Sequence, residues 1–240
     1  MTPQKAPWLM LFSRITLFAG LQAILAFAFS LAGSENAWEA STAWWPLTVT
    51  LANLICVALL IRLFHTEGKS YWDIFLIQRK HILGDLLVIL GLFVIAGPVS
   101  YFPNPMLSKA LFGDPQKVLP LLVRPLPLWV VYISIFLFPI TQGLAELPTY
   151  FGYVMPRFES NGMRPWLAVT LPALMLGFQH IAVPLLFDMR YILWRGFMYL
   201  PFAFFVAIVL HWRPRFLPYM VVVHVLMDMS FVAMLLSAAY

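Results

Sequence analysis

The chain has 240 residues, of which 62% are hydrophobic and only 10% are charged. A soluble domain carries about a quarter charged residues, so the composition excludes a soluble globular domain, and the apolar faces are expected to meet lipid. The net charge of +5 comes from basic residues spread between apolar stretches, which argues against a nucleic-acid partner and for positive loops at an anionic leaflet. The single cysteine, Cys56, excludes an intrachain disulfide.

Runs of predominantly apolar residues predict the membrane spans. A spanning helix needs about 20 such residues, because each residue rises about 1.5 Å through a hydrocarbon core about 30 Å thick. The first run is read as a retained helix, since no small-residue cleavage site follows it. We predict an all-α, polytopic membrane helical bundle that forms a single transmembrane domain over residues 1–240. Its transmembrane helices number about seven and cover residues 8–31, 44–64, 82–102, 128–156, 166–186, 191–211 and 218–239.

Lysine and arginine residues predict the orientation. With the N-terminus inside, four basic residues fall in outer segments: Lys109, Lys117, Arg124 and Arg190. The inner segments hold nine: Lys5, Arg62, Lys69, Arg79, Lys80, Arg157, Arg164, Arg213 and Arg215. Cytoplasmic loops carry the excess of positive charge, so the N-terminus is predicted inside and the C-terminus, at Tyr240, outside. We expect the protein in a bacterial cytoplasmic membrane.

Several ionisable residues fall within the predicted helices. Each costs about 2.5–3.5 kcal/mol at the bilayer centre by insertion scales, so each needs an explanation. Arg14 and Arg195 lie near enough to helix ends for their long stems to snorkel to the interface. His81 and Asp85, one turn apart, are read as an interfacial pair.

Four deeper residues do not fit that explanation: Glu146 in the fourth predicted helix, His180 in the fifth, and His224 and Asp228 in the seventh. The spacing of four places His224 and Asp228 on one helical face. By alternation of the helices, all four residues lie at similar depth between the inner leaflet and the midplane. We predict that they converge on one pocket, on the cytoplasmic side of the membrane.

The chemistry of this set leaves alternatives open. Polar groups can hold helices together by hydrogen bonds. A buried carboxyl and an imidazole also suit general acid/base chemistry. The two imidazoles and a carboxylate, from His180, His224 and Glu146, also suit a divalent ion such as Zn²⁺. Spacing alone does not choose between a bound metal and a water held by Glu146 and His180.

The backbone beside Glu146 is also unusual. Pro148 cannot donate a hydrogen bond to the carbonyl of Leu144, and its ring opens the helical turn. Broken backbone at membrane depth is tolerated only where it is buried or lines a wet cavity. The pattern predicts a kink that opens the pocket toward the cytoplasm.

Three short motifs resemble the CPBP family, which comprises the type II CAAX prenyl endopeptidases and their bacterial relatives, including bacteriocin-processing and self-immunity proteins. The stretch E-L-P-T-Y-F-G-Y-V-M-P-R, from Glu146 to Arg157, is similar to the family stretch E-E-P-G-W-R-G-Y-x-x-P-R. Leu176-x-x-x-His180 resembles the family's F-x-x-x-H, and His224-x-x-x-Asp228 its H-x-x-x-N/D. The resemblance covers residues 128–239, about half of the chain.

Three family positions differ here. Leu147 stands where the family has its second glutamate, Phe151 where it has an arginine, and Leu176 where it has a phenylalanine. The family arginine braces the second carboxylate, so losing both removes a buried pair without leaving either charge alone. The water-activating first glutamate is kept as Glu146.

The resemblance implies an intramembrane endopeptidase, described for the family as a metallopeptidase, that cleaves a membrane-associated peptide or protein. Glu146 and His180 would polarise a water, while His224 and Asp228 would hold a metal or stabilise the oxyanion. One alternative is a non-catalytic family member acting as a binding or bacteriocin-immunity protein. A proton-coupled transporter is a further alternative, although the inverted repeats usual for transporters are not evident. The sequence does not predict an oligomeric state.

Overall fold

The computed structural model describes the backbone of residues 4–239 and the side chains of residues 4–233. Within that part of the chain the elements are helices, with no β-strand beyond one isolated bridge between Ala182 and Leu185. The α-helices are α1 (Ala6–Leu31), α2 (Ala37–Thr42), α3 (Trp45–Thr66), α4 (Ile82–Tyr101), α5 (Pro103–Phe112), α6 (Leu119–Leu122), α7 (Leu128–Leu147), α8 (Met155–Ser160), α9 (Pro165–Phe178), α10 (Met189–Met198), α11 (Leu200–Trp212) and α12 (Leu217–Ala239).

The all-α, polytopic bundle predicted from the sequence is confirmed. In the described residues, six helical stretches are long and apolar enough to cross a membrane: Ala6–Leu31, Trp45–Thr66, Tyr71–Phe112, Leu128–Ser160, Met189–Trp212 and Pro214–Ala233. Proline accounts for the breaks inside several of them, since it cannot donate a backbone hydrogen bond. A π-helix at Pro148–Val154, for example, separates α7 from α8.

The fifth predicted span is the one that differs. Residues 166–186 do not form one long helix: α9 ends at Phe178 after 14 residues, and a 3₁₀ turn, Gln179–Ile181, follows. The chain then continues as irregular backbone to Leu185, whose carbonyl accepts hydrogen bonds from the side chains of Gln22 and Trp38. Polar side chains from α1 and α2 thus satisfy this backbone, as membrane depth requires.

Helix α7 occupies the centre of the bundle. It packs mainly against α3 and α12, while α9 packs against α11 and α1 packs against α3. Helix α4 lies at the periphery and exposes most of its apolar side chains, as a lipid-facing helix does. The site described below lies where α7, the end of α9 and α12 meet.

Different ion pairs lie at the two ends of the bundle. At one end Arg157 pairs with Glu67, with 2.6 Å between Nη2 and Oε2, and Arg215 pairs with Asp85 at 2.7 Å. At the other end Arg124 pairs with Glu39. These groups match the inner and outer sets of basic residues, but which end faces the cytoplasm stays a prediction. Asp85 pairs with Arg215 rather than forming the expected pair with His81.

Candidate functional site

A cavity of about 300 Å³ lies inside the bundle. The four residues singled out from the sequence all line it. Further polar side chains in its wall come from Gln142, Gln179 and Arg195, while the apolar wall includes Phe18, Trp45, Phe138, Phe202 and Phe231. The structure therefore brings together on one cavity four residues that lie up to 82 positions apart in the sequence, Glu146, His180, His224 and Asp228.

Glu146 is buried, with 2% of its surface exposed, and lies in the last turn of α7. Its two carboxylate oxygens have different surroundings. Oε2 accepts hydrogen bonds from the amide nitrogens of Gln142 at 2.5 Å and Gln179 at 2.6 Å, and it lies 3.5 Å from Nη2 of Arg14. Oε1 lies 3.3 Å from Nε2 of His224. Only Oε1 is therefore free of amide and guanidinium donors.

His224 and Asp228 lie one turn apart on α12, as their spacing predicted. Nε2 of His224 is 3.2 Å from Oδ2 of Asp228, so the imidazole lies between the carboxylates of Asp228 and Glu146. These distances suit ion pairs, but the angles suit no hydrogen bond, and neither Nε2 of His224 nor Oδ2 of Asp228 has a hydrogen-bond partner. Both atoms are buried in this arrangement, although their residues line the cavity.

His180 approaches the cavity from the 3₁₀ turn after α9. Its Nδ1 lies 2.9 Å from the carbonyl oxygen of Leu176 and 3.1 Å from that of Gly177. Carbonyl oxygens only accept, so Nδ1 must carry the proton, which leaves Nε2 as a proton acceptor when the ring is neutral. The ring packs against that of Tyr199, with 4.1 Å between centroids and 35° between the ring planes. Gln179, rather than His180, makes the direct contact with Glu146.

Sequence reasoning missed the polar residues that surround Glu146. Arg14 was expected to snorkel to the interface, but its side chain is completely buried. Its guanidinium binds the side-chain oxygens of Asn53 in α3, Gln142 in α7 and Gln179. The available signal was that these three amides fall within otherwise apolar predicted helices, because an intramembrane amide needs a polar partner as much as an ionisable residue does.

Arg195 was also expected at the interface, yet only 4% of its surface is exposed. Its guanidinium donates to the backbone carbonyls of His180 at 3.2 Å and Val183 at 2.7 Å. The cation lies where α9 and its 3₁₀ turn end, so it satisfies backbone oxygens that lack helical partners. Arg195 therefore stabilises the irregular segment that carries His180.

The residues predicted to hold a metal fit one poorly. No group of three His, Cys, Asp or Glu side chains in the described part of the chain is arranged to bind an ion. Oε2 of Glu146 already has three donors, one of them the guanidinium of Arg14. A divalent cation at this carboxylate would lie close to that positive charge, which opposes its binding. Zn²⁺ stays a prediction, and the chemistry below is derived without it.

The cavity extends in a direction that the sequence did not predict. The kink predicted at Pro148 is a π-helix whose residues are almost all buried, and Pro148 itself does not line the cavity. From Glu146 the cavity instead runs toward Trp45, the first residue of α3, and Tyr101, the last residue of α4. Those helix ends lie opposite the end that holds the Arg157–Glu67 pair. The lining of this cavity therefore does not include the kink, and an opening along the kink stays a prediction.

No family model, curated protein or solved structure matches the chain.

Proposed function

We propose that the chain is an intramembrane endopeptidase of the CPBP type, which hydrolyses a membrane-associated peptide or protein. The observation that carries the proposal is that Glu146, His180, His224 and Asp228 line one cavity within the bundle. Separate helix contacts would not by themselves require these four residues to line one cavity. The cavity also has room for a short stretch of peptide beside these groups.

His180 is the proton acceptor of the proposed reaction. Water attacks the peptide carbonyl carbon, and its proton passes to Nε2 of His180, the nitrogen left free by the Nδ1 contacts. Oε1 of Glu146 accepts the second hydrogen bond of this water and orients it. The C–N bond then breaks, and His180 returns the proton to the departing amine.

His224 stabilises the negative charge that develops on the carbonyl oxygen. Its Nε2 is buried between Oε1 of Glu146 and Oδ2 of Asp228 and forms no directed hydrogen bond with either. In the proposed reaction the substrate oxygen displaces one of these two contacts and accepts a hydrogen bond from this nitrogen. Asp228 places a negative charge 3.2 Å from this nitrogen. Its role is to orient His224 rather than to attack the substrate.

A second candidate, a non-catalytic binding protein, is favoured by one observation. Oε2 of Glu146 is fully occupied by neighbouring donors, an arrangement that holds helices together without any reaction. The replacement of two family residues by Leu147 and Phe151 agrees with this candidate. In that case the same cavity would hold a peptide or a lipid without cleaving it.

The comparison of wild type with His180→Gln separates the two candidates. Membranes from cells expressing each form are searched by mass spectrometry for new peptide termini, with zinc measured in the purified proteins. Termini that appear with wild type and disappear with His180→Gln are expected. His211→Gln is the matched control, since His211 is half-exposed and pairs with Glu159 far from the cavity. The same set of termini with wild type and His180→Gln would refute the peptidase proposal.

The proposed location is a bacterial cytoplasmic membrane with the N-terminus inside. In that orientation Glu146 lies near the midplane, and the cavity runs from it toward the outer helix ends, at Trp45 and Tyr101. The cytoplasmic position predicted for the site therefore concerns Glu146 alone, and it stays a prediction.

A further inference from the structure

Arg195 is a buried cation in the wall of the cavity, and no carboxylate in the described part of the chain forms an ion pair with it. We propose that Arg195 binds the carboxylate of a ligand whose apolar part occupies the cavity. The site concerns binding, so it goes beyond the proposed reaction and does not rest on it.

The charged groups around the cavity differ in their partners. Nη2 of Arg14 lies 3.5 Å from Oε2 of Glu146, and Oδ2 of Asp228 lies 3.2 Å from Nε2 of His224. Both carboxylates of the wall therefore have a basic side chain beside them. Arg195, with 4% of its surface exposed, has no such neighbour of opposite charge among the described residues. Buried charges in proteins are as a rule paired, so the position for an anion at Arg195 is left to a ligand.

The backbone carbonyls near Arg195 compensate only part of its charge. Nε donates to the carbonyl oxygen of His180 at 3.2 Å, and Nη2 donates to that of Val183 at 2.7 Å. Even the aligned dipoles of a complete helix amount to about half of a unit charge at the C-terminus. A full positive charge beside these carbonyls is therefore not neutralised by them.

The hydrogen bonds of Arg195 also leave one nitrogen without an oxygen acceptor. Within the described part of the chain, the contact of Nη1 is with Sδ of Met198, 3.8 Å away, and a thioether sulfur is a weak acceptor. A carboxylate oxygen is a much stronger acceptor for a guanidinium N–H. Nη1 is therefore the nitrogen at which we place the carboxylate.

The rest of the cavity indicates the class of ligand. Its wall is mostly apolar and aromatic, with Phe18, Trp45, Phe138 and Phe202 among its residues, so the body of the ligand is expected to be apolar. The volume of about 300 Å³ is at the lower end of the range for ligand pockets. A carboxylate is a small group that offers two coplanar oxygens to a guanidinium. A fatty acid and an apolar peptide with a free C-terminus both have this chemistry.

Thermal melts of the purified full-length protein in detergent test the site. A thiol-reactive dye reports unfolding, because Cys56 is completely buried. The probes are dodecanoic acid and acetyl-trileucine, compared with methyl dodecanoate and acetyl-trileucine amide in mildly alkaline solution, where both acids are ionised. With wild type, at least one acid should bind about 10- to 100-fold tighter than its neutral counterpart, as expected for a hydrogen bond between charged groups. At saturating concentration its Tm should then be about 3–10 °C higher.

Variants of two arginines show whether Arg195 causes this difference. Arg195→Gln is expected to melt at the same temperature with each acid and its neutral counterpart, and Arg195→Lys, which keeps the charge, should retain part of the difference. Arg157→Gln is the matched control, because Arg157 pairs with Glu67 and does not line the cavity. It should retain the whole difference. The acid with the larger effect identifies the source of the carboxylate, a fatty acid or a peptide.

A carboxylate built into the protein gives a second test that keeps Arg195. Met198 is three residues after Arg195 in α10, so the two side chains lie on one face of the helix. Met198→Glu places a carboxylate beside Nη1 and should abolish the preference for the acids. Met198→Gln has the same shape without the charge and should keep it. If Arg195→Gln does not fold, this pair of variants decides between the outcomes.

Several results would overturn the proposal. Wild type could melt equally with the acids and their neutral counterparts, which would show that the cavity does not recognise charge. Folded Arg195→Gln could keep the preference, or Met198→Glu and Met198→Gln could show the same preference. A Met198→Glu that fails to fold, beside a folded Met198→Gln, would show that Arg195 offers no position for a carboxylate.

The cleavage assay separates this site from the proposed function. A wild type that cleaves nothing, yet prefers the acids in an Arg195-dependent way, refutes the peptidase and leaves the site standing. A wild type that cleaves its substrate and shows no preference refutes the carboxylate site alone.

Discussion

Gly143 permits the close approach of α7 and α12 that brings His224 to Glu146. A Cβ atom added at Gly143 would overlap Cγ2 of Val225 and lie 3.4 Å from the backbone oxygen of Val221. Val225 is next to His224 in α12, and Gly143 is one turn before Glu146 in α7. The substitution Gly143→Ala must therefore move α12 or force a β-branched side chain off its preferred rotamer. Overpacking of this kind costs about 1–3 kcal/mol.

The only cysteine of the chain provides the assay. Cys56 is completely buried, so a thiol-reactive fluorescent dye reports unfolding of the detergent-solubilised protein. One kcal/mol shifts Tm by about 2–4 °C in a domain of about 150–250 residues, so we expect Tm of Gly143→Ala to fall by about 2–12 °C. Under the proposed function, cleavage is expected to fall as well, because the 3.3 Å contact between His224 and Glu146 lengthens as α12 moves away.

Two further variants control for this reasoning. Gly91→Ala adds the same methyl group in α4 with nothing within 4 Å, and removal of a helical glycine is expected to change stability by at most about 1 kcal/mol, upward. Gly143→Ala/Val225→Ala removes the overlapping methyl and should regain much of the lost Tm. The packing argument is refuted if Gly143→Ala melts like wild type, or if Val225→Ala restores nothing.

Three other outcomes are expected at the ends of the bundle. Burial raises the pKa of Glu67, but hydrogen bonds from Arg157 and Tyr153 outweigh it and leave this pKa below its ordinary value. The stability that Glu67 adds is therefore present above the unfolded-state pKa of about 4.3 and is lost as pH falls through the lower folded-state pKa. The difference in Tm between wild type and Glu67→Gln, followed by circular dichroism, should vanish in acid. Asp85 is buried and paired with Arg215, so Arg215→Ala should lower the free energy of unfolding by about 1–3 kcal/mol in the thiol melt. Adding Asp85→Asn should recover part of this loss, and no recovery would show that the pair does not contribute to stability. On a Cys56→Ser background, a membrane-impermeant reagent should label a cysteine at Asp114 from outside the cell and one at Asn161 only after lysis; the reverse pattern would invert the predicted topology.

The apolar runs predicted most of the fold because the bilayer imposes one requirement on every span. A helix is the only local structure that satisfies its own backbone in lipid, so length and apolarity are sufficient evidence. The segment from Trp166 to Leu186 is apolar enough to meet that test, yet its second half is not helical. Hydrogen bonds from Gln22, Trp38 and Arg195 satisfy its backbone instead. The sequence of the segment does not predict these partners, because they are distant in the chain.

The candidate site was predictable in part for a related reason. His224 and Asp228 share a helix, so their spacing fixes their relation, and the cost of burying Glu146 implied an inward-facing partner. Arg14 was misjudged because a long stem can reach either an interface or a buried acceptor, and local sequence does not distinguish the two. The acceptors that hold Arg14 inside the bundle, Asn53 and Gln179, lie in other elements. They are uncharged, so the search for ionisable residues did not include them.

The buried network around Glu146 joins helices, and its relation to the proposed peptidase activity depends on the atoms that it leaves without a hydrogen bond. A network that only joins helices is expected to use all its donors and acceptors, since each buried polar atom left without a partner costs about 1–3 kcal/mol. Around Arg14 this expectation holds, because every guanidinium nitrogen is bonded. It fails at Nε2 of His224 and Oδ2 of Asp228, which are buried 3.2 Å apart and form no directed hydrogen bond. Under the proposed function, the saturated half positions the carboxylate, the half without directed hydrogen bonds contacts the substrate, and Glu146 belongs to both through its two oxygens.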